Sequence, residues 1–597
     1  MKMKSLLLLG AAAIAGAAYA ETYTSVITPL EGEKWWGAGT FFGSHMPYDN
    51  FAEKDLSKSN YSNQSAPLFV SSKGRYIWSD KPFKFSVKNG VISITSEYEK
   101  INPVAAGKTL KDAYLAASKI HFEPSGAIPQ EVFFSMPQYN TWIELMYNQN
   151  QADIEKYAEN VIKNGFPVGV FMVDDNWQNY YGNFDFRVDK FPNPKAMMDK
   201  LHAEGFKVMF WICPFVSPAS PEFRELNKAG LLLKEKGKKS PAMVEWWNGI
   251  SACYDLTNPK AREHLKNKLV KMQKLYGVDG FKFDAGDKGA VSGDIDFYEG
   301  ATPSDYCEAW AKMGLDFPYN EYRACWKMGL QPLVQRLQDK PYSWDGIKQL
   351  IPDMLAAGLL GHPYTCPDMI GGGEFRSFLN PDMTPIDVSK IDQKLIVRSC
   401  QVHALMPMMQ FSVAPWRILD KKHLGICAKF ANLHKQFGPY ILELAHNAAK
   451  TGDPKAYRLP VPHVEGKYNV SFSGLKTAVL NEVNKAQMKG EEVNVPDLAA
   501  SFQERIAGIL AEKLLLAAAD TGAKQVCLAG GVAANGRLRQ LVNDGAQKLG
   551  AKVYLPELKF CGDNGAMIAA QGYYQYIAGH TAGLELNGLP TLPIDYE

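Results

Sequence analysis

Val278-Asp-Gly-Phe-Lys-Phe-Asp284-Ala-Gly286 sets a short apolar run directly against a carboxylate and a flexible turn. So short a run reads as a buried strand rather than a helix, and it stops where the polar residue begins. The same pattern recurs outward along the chain. Val168 to Val173 gives way to Asp174-Asp175-Asn176-Trp177, Phe210 is followed by Trp211 and Cys213, and Tyr364-Thr-Cys-Pro367 precedes Asp368-Met-Ile-Gly-Gly372. Amphipathic helix text lies between, clearest in Pro194 to Glu204 and Pro259 to Leu275. Recurrent strand-then-helix units predict a parallel (β/α)8 barrel over residues 130–450. Reacting groups in such a barrel project from the C-terminal strand ends. Carboxylates and tryptophans gathered there suit a sugar, whose C–H faces stack on indoles and whose hydroxyls bond to carboxylates. Any one of these acids could simply cap a helix; four strand ends together favour a site.

Upstream, residues 21–129 read as a small β-sandwich-like domain, with alternation on both sides of Lys88-Asn89-Gly90 marking a hairpin. Lys2 and Lys4 precede an apolar run from Leu6 to Ala18, and Ala18-Tyr19-Ala20 offers a cleavage site. Residues 1–20 are therefore expected to be a signal peptide, and the mature chain exported to the periplasm, cell surface or medium. No stretch is long and apolar enough to suggest a membrane span. With 65 Lys+Arg against 63 Asp+Glu, net charge gives no argument for nucleic acid. Nine scattered cysteines without a CxxC pair argue against a zinc ribbon or a disulfide framework.

The Phe281-Lys282-Phe283-Asp284 motif resembles glycoside hydrolase family 31, the retaining α-glycosidases, and within it the branch of the myogenesis-regulating glycosidase. The resemblance implies that Asp284 is the nucleophile. It places the acid/base at Asp339, sixteen residues after a sugar-binding Arg323, with Asp345 in the Trp344-Asp-Gly-Ile347 helix start as rival. It also implies substrate contacts from Asp174, Asp175, Trp177, Trp211, Lys282 and Asp368. The expected substrate is an α-galactoside or α-glucoside within an oligosaccharide or glycoconjugate, hydrolysed by double displacement without a cofactor.

Residues 452–597 speak another vocabulary: Phe472-Ser-Gly-Leu-Lys-Thr477, Asp497-Leu-Ala-Ala-Ser-Phe-Gln503, Ala529-Gly-Gly-Val-Ala-Ala-Asn535 and Cys561-Gly-Asp-Asn-Gly565. These resemble the C-terminal half of the tRNA threonylcarbamoyladenosine transferase family, which has the actin-like fold. The resemblance implies nucleotide contacts at Gly530, Gly531 and Asn535 and a metal ligand at Asp563. A divalent metal and ATP or threonylcarbamoyl-adenylate are expected only if the lobe were completed. The family's HxxxH pair is missing, because none of the eleven histidines has another four residues on. A single aspartate does not make a catalytic metal site. A cytoplasmic, tRNA-modifying activity is thus the alternative, and the chain reads as a fusion joined near 451–454. The half-domain would expose the face that its missing lobe buries, so low solubility is expected.

Overall fold

The computed structural model describes residues 22–61, 63–380, 382, 384, 386–449, 457–491, 493, 495–557, 560–562, 565–581 and 583. The expected signal peptide, the expected junction near 451–454 and Asp563 lie outside the described residues. The chain divides into two compact units, 1–450 and 451–597.

The first unit holds eight parallel strands: β1 (Gln138–Asn140), β2 (Val170–Val173), β3 (Lys207–Ile212), β4 (Gly280–Phe283), β5 (Tyr319–Tyr322), β6 (Gln335–Arg336), β7 (Thr365–Cys366) and β8 (Gln410–Phe411). Each pairs with the next, β8 pairs with β1, and a Met369–Gln410 bridge joins the two ends of the sheet into a ring. Strands β2 and β4 are buried along their whole length, which explains why they read as unbroken apolar text. The exception is Lys282 on β4, whose register partners are Trp211 and Glu321. It belongs to a polar layer inside the ring, where Gln410 donates to Glu321 at 2.7 Å and to Gln138 at 2.9 Å.

The intervening helices carry their own start and stop signals. Helix Pro259–Tyr276 begins with Asn258 capping the Lys260 N–H and a proline in its first turn, and ends at left-handed Gly277. Its buried face, Ala261, Leu265, Leu269 and Met272, follows helical spacing. Each buried leucine stabilises by about 1.5–3 kcal/mol.

N-terminal to the barrel, Lys84–Lys88 and Val91–Ser96 form the expected hairpin, with Asn89 and Gly90 both left-handed as a tight two-residue turn requires. These strands join Tyr23–Ile27 and Phe51–Asp55 in one sheet. Its inner residues Phe85, Val87, Ile92 and Ile94 pack with Trp35, Phe69 and Ile77 of a second sheet built around Gln64–Ser71. The second sheet also reaches the barrel. Cys325–Trp326, just after β5, pairs parallel with Gln64 and Ser65. Gln64 donates to the carbonyls of Arg323 (2.8 Å) and Arg336 (3.0 Å), and Asn63 to that of Arg336 (2.8 Å).

The second unit contains helices Ser473–Lys489, Val495–Thr521, Gly536–Lys548 and Gly565–Ile577 and a parallel pair, Gln525–Cys527 with Lys552–Tyr554. Its last helix presents Ile568, Tyr573, Tyr574, Tyr576 and Ile577 to solvent, an apolar face with no cover among the described residues.

Candidate active site

At the C-terminal ends of the barrel strands a cavity of about 280 Å³ is lined by Asp174, Asp175, Trp211, Lys282, Asp284, Arg323, Arg336 and Asp339, with Trp142, Trp247, Glu374, Phe375 and Arg376 at its sides. Seven of the nine barrel residues expected at the site thus share one wall. Asp284 leaves β4 and meets left-handed Ala285, whose N–H donates to its own neighbour's Oδ1 at 2.8 Å. Trp211 Nε1 donates to the other oxygen, Oδ2, at 2.7 Å, and Arg323 Nε lies 3.7 Å from Oδ1. Burial by itself would raise the Asp284 carboxyl. Arg323, Lys282, Arg336 and the Trp211 hydrogen bond outweigh it and hold this acid below the ordinary carboxylate range. The arginine is steadied in turn by Asp287 at 3.3 Å and by the face of Trp247 at 5.0 Å.

Asp174 is anchored by charge. Lys282 Nζ lies 2.6 Å from its Oδ2, both side chains being almost fully buried. Burial opposes the Lys282 ammonium, but Asp174, with Asp284 and Glu321, keeps its pKa above the usual lysine value. Asp175 is held differently, by Tyr181 OH at 3.0 Å and Asn248 Nδ2 at 2.6 Å. Burial, and then the charge of Asp174, push its carboxyl up to about 7. A carboxyl raised in the folded state binds its proton more tightly there than when unfolded, so its contribution to stability is present at low pH. That contribution is lost as pH rises from the ordinary 3.8 through about 7. Asp175→Asn is accordingly expected to melt above the parent at pH 8 by an amount worth a few kcal/mol, with the gap closing by pH 4. Thermal unfolding across that range checks it; a gap independent of pH contradicts it.

Asp339 lies just past β6 with its side chain one-third exposed. Arg336, buried on β6, donates to Asp339 at 2.6 Å and to Asp368 at 3.1 Å, and approaches Glu321 at 3.7 Å. Arg336→Met leaves these acids without their shared cation and is expected to destabilise the barrel by about 3–5 kcal/mol. Chemical denaturation measures that loss, and a change under 1 kcal/mol would contradict it.

Two expected lining residues lie behind the wall instead. Trp177 follows left-handed Asn176, which turns its indole into the core between Phe186 and Phe210, where Nε1 donates to the Trp211 carbonyl at 2.8 Å. Asp368 is fully buried at a strained φ of 124°. Its carboxylate accepts from Arg336 and from the backbone N–H of Lys340 and Gly373, so it braces the loop that carries Asp339. Burial, then Asp339, raise Asp368 to about 6. The rival Asp345 is 82% exposed and paired with Lys348, outside the cavity.

Sequence reading overlooked Arg336, Trp247, Tyr181, Asn248 and the Glu374–Arg376 loop. An arginine three residues before the expected acid was the one available signal; the others sit in loop insertions.

In the second unit, Gly530 turns left-handed before a 3-10 turn, and Asn535 caps helix Gly536–Lys548 by accepting from the Leu538 N–H at 3.0 Å. Asn535 Nδ2 donates to Gln503 Oε1. No group of three or more His, Cys, Asp or Glu poised for a metal stands among the described residues, to which Asp563 does not belong.

Residues 128–327 match the family model described as the glycosyl hydrolases family 31 TIM-barrel domain. Residues 420–570 match that of tRNA N6-adenosine threonylcarbamoyltransferase. Models of two different families therefore match two separate parts of one chain. The myogenesis-regulating glycosidase of Mus musculus is 32% identical over 359 residues, covering 59% of this chain and 49% of that protein. The tRNA N6-adenosine threonylcarbamoyltransferase of Desulfitobacterium hafniense (strain Y51) is 50% identical over 156 residues, 26% of this chain and 45% of that protein. The chain spans about half the length of the curated relatives it matches. Among solved structures, a glycoside hydrolase family 31 dextranase of Flavobacterium johnsoniae complexed with glucose aligns with TM-score 0.60 at 18% identity, over 72% of this chain and 56% of that one. A cycloalternan-degrading enzyme from Trueperella pyogenes, in complex with a covalent intermediate, aligns with TM-score 0.59 at 16% identity, over 72% and 66%. These alignments establish the barrel fold. The transferase match opens at residue 420, yet helix Lys421–Ala448 belongs structurally with the barrel: its Ile441 and Ala445 share a core with Phe134, Val170 and Met172.

Proposed function

We propose that the chain is an exported retaining α-glycosidase, of α-galactosidase or α-glucosidase type. The observation that carries this reading is the held carboxylate of Asp284 facing the same cavity as Asp339. Asp284 attacks the anomeric carbon while Asp339 gives its proton to the leaving oxygen; water then resolves the glycosyl ester with Asp339 as base. Arg336 offers charge to Asp339 as it gives up its proton. Asp174, anchored by Lys282, and Asp175 accept hydroxyls of the terminal sugar, and Trp211 and Trp247 offer faces for its C–H groups.

Hydrolysis of aryl α-galactosides and α-glucosides tests the activity, and NMR of the first-formed sugar tests its course. The α-anomer is expected first; the β-anomer would rule out double displacement. Mass spectrometry of the secreted chain tests export, with Glu21 expected as the first residue.

A second reading, tRNA threonylcarbamoyl transfer by residues 452–597, is favoured by the match over 420–570. It calls for ATP and a divalent metal. Formation of the modified adenosine by the purified chain supplied with tRNA, ATP and threonylcarbamoyl-adenylate would establish it.

A further inference from the structure

Asp174 and Asp175 are neighbours in sequence and both face the cavity, yet they are anchored by opposite means. Asp174 is bound to a buried ammonium, whereas no cation stands within ion-pair distance of Asp175 among the described residues. Neutral donors take that place, and they come from two different loops. Tyr181 lies in the connection after β2. Asn248 sits with Trp247 at the tip of a hairpin, Val244–Trp246 paired with Gly249–Cys253, in the connection after β3. The three groups close a triangle, since Asn248 Nδ2 also donates to Tyr181 OH at 2.8 Å. Aromatic packing fixes the triangle's position: the Tyr181 ring meets Trp246 at 4.8 Å and Trp211 at 6.0 Å. Trp211 is itself the donor to Asp284.

We propose that Asn248 and Tyr181 are positioning residues that choose the sugar: donating from two loops, they hold the Asp175 carboxylate as a fixed acceptor for one hydroxyl of the terminal ring and so set which epimer the cavity takes. This rests on the glycosidase reading. The physical reason is that neutral donors fix the direction of the Asp175 oxygens without tying the group to a cation, so that above its midpoint the ionised form meets an incoming hydroxyl unshared, whereas Asp174 shares its charge with Lys282. An acceptor fixed in direction bonds an axial or an equatorial hydroxyl, and the unfavoured epimer leaves it unpaired.

The test uses the full chain and Tyr181→Phe, which keeps the ring between Trp246 and Trp211 and removes one donor. Asn248→Leu removes the other, and Asn248→Gln restores an amide. Binding of free galactose and glucose is measured by calorimetry, which needs no turnover, beside the ratio of kcat/KM for the two aryl glycosides. Each donor-deleted variant is expected to lose about tenfold in affinity for the preferred sugar, with its galactose-to-glucose ratio moving toward unity. Asn248→Gln recovers part of both.

A role in packing alone would leave the pH profile of binding unmoved. The titratable groups facing Asp175 are Asp174, Tyr181, Tyr147 and Cys213. Of the causes acting on Asp175, the Tyr181 and Asn248 hydrogen bonds lower its pKa, so deleting either moves the midpoint of binding against pH upward. Variants that bind with parental affinity, parental ratio and an unshifted midpoint overturn the inference and leave the glycosidase reading intact. A parent chain that neither binds nor hydrolyses either sugar overturns both.

Discussion

Asp284→Asn is expected to lower kcat/KM on aryl α-glycosides by at least about four orders of magnitude while leaving the barrel folded. The amide has the same shape, and its oxygen still accepts from Trp211 Nε1, so the local packing survives. What disappears is the charge that Arg323, Lys282 and Arg336 keep on this side chain, and a neutral amide oxygen is too weak a nucleophile for the proposed attack on the anomeric carbon. Thermal unfolding beside the kinetics separates the two effects. A residual rate within a hundredfold of the parent would mean that another carboxylate attacks. Because the parent's Asp284 stays ionised below the ordinary aspartate range, its loss by protonation should appear only under strongly acidic conditions.

Asp339→Asn is expected to separate two kinds of substrate. A disaccharide leaving group needs a proton and should react about 10²–10⁴ times more slowly. A nitrophenyl glycoside leaves without help, so the enzyme is still glycosylated but the ester now waits for a water without its base. A burst of nitrophenol followed by slow turnover, and a fall in KM, are the expected signature. Added azide, which needs no base, should restore turnover and yield the α-glycosyl azide. Equal slowing of both substrates, with no burst, would move the acid/base role elsewhere.

The barrel was legible because β2, β3 and β4 are buried on both faces and therefore write themselves as apolar runs ending on acids. Asp284 and Trp211 stood out at those strand ends, whereas the nucleophile role expected of Asp284 came from the resemblance of Phe281-Lys282-Phe283-Asp284 to family 31. Strands β6 and β7 are two residues each, too brief for any period, and so Arg336 stayed invisible although it binds Asp339, Asp368 and Glu321. Text also does not say which way a side chain turns. Single left-handed residues, Asn176 before Trp177 and Asp368 itself, send those two groups away from the cavity after strand ends that promised them to it. The hairpin bearing Trp247 and Asn248 was missed for a third reason: it is an insertion between barrel elements, outside the strand-then-helix rhythm on which the reading relied.

Asn63 and Gln64 hold the backbone carbonyls of both Arg323 and Arg336. For recombination this makes the two ends of the barrel unequal. Exchanging everything beyond residue 450 removes none of the groups that line the cavity, because all of them come from the first unit. Cutting near residue 129 would instead strip the anchors from two arginines at once. The sandwich thus belongs with the cavity it braces, while the sequence beyond residue 450 supplies none of the cavity's lining.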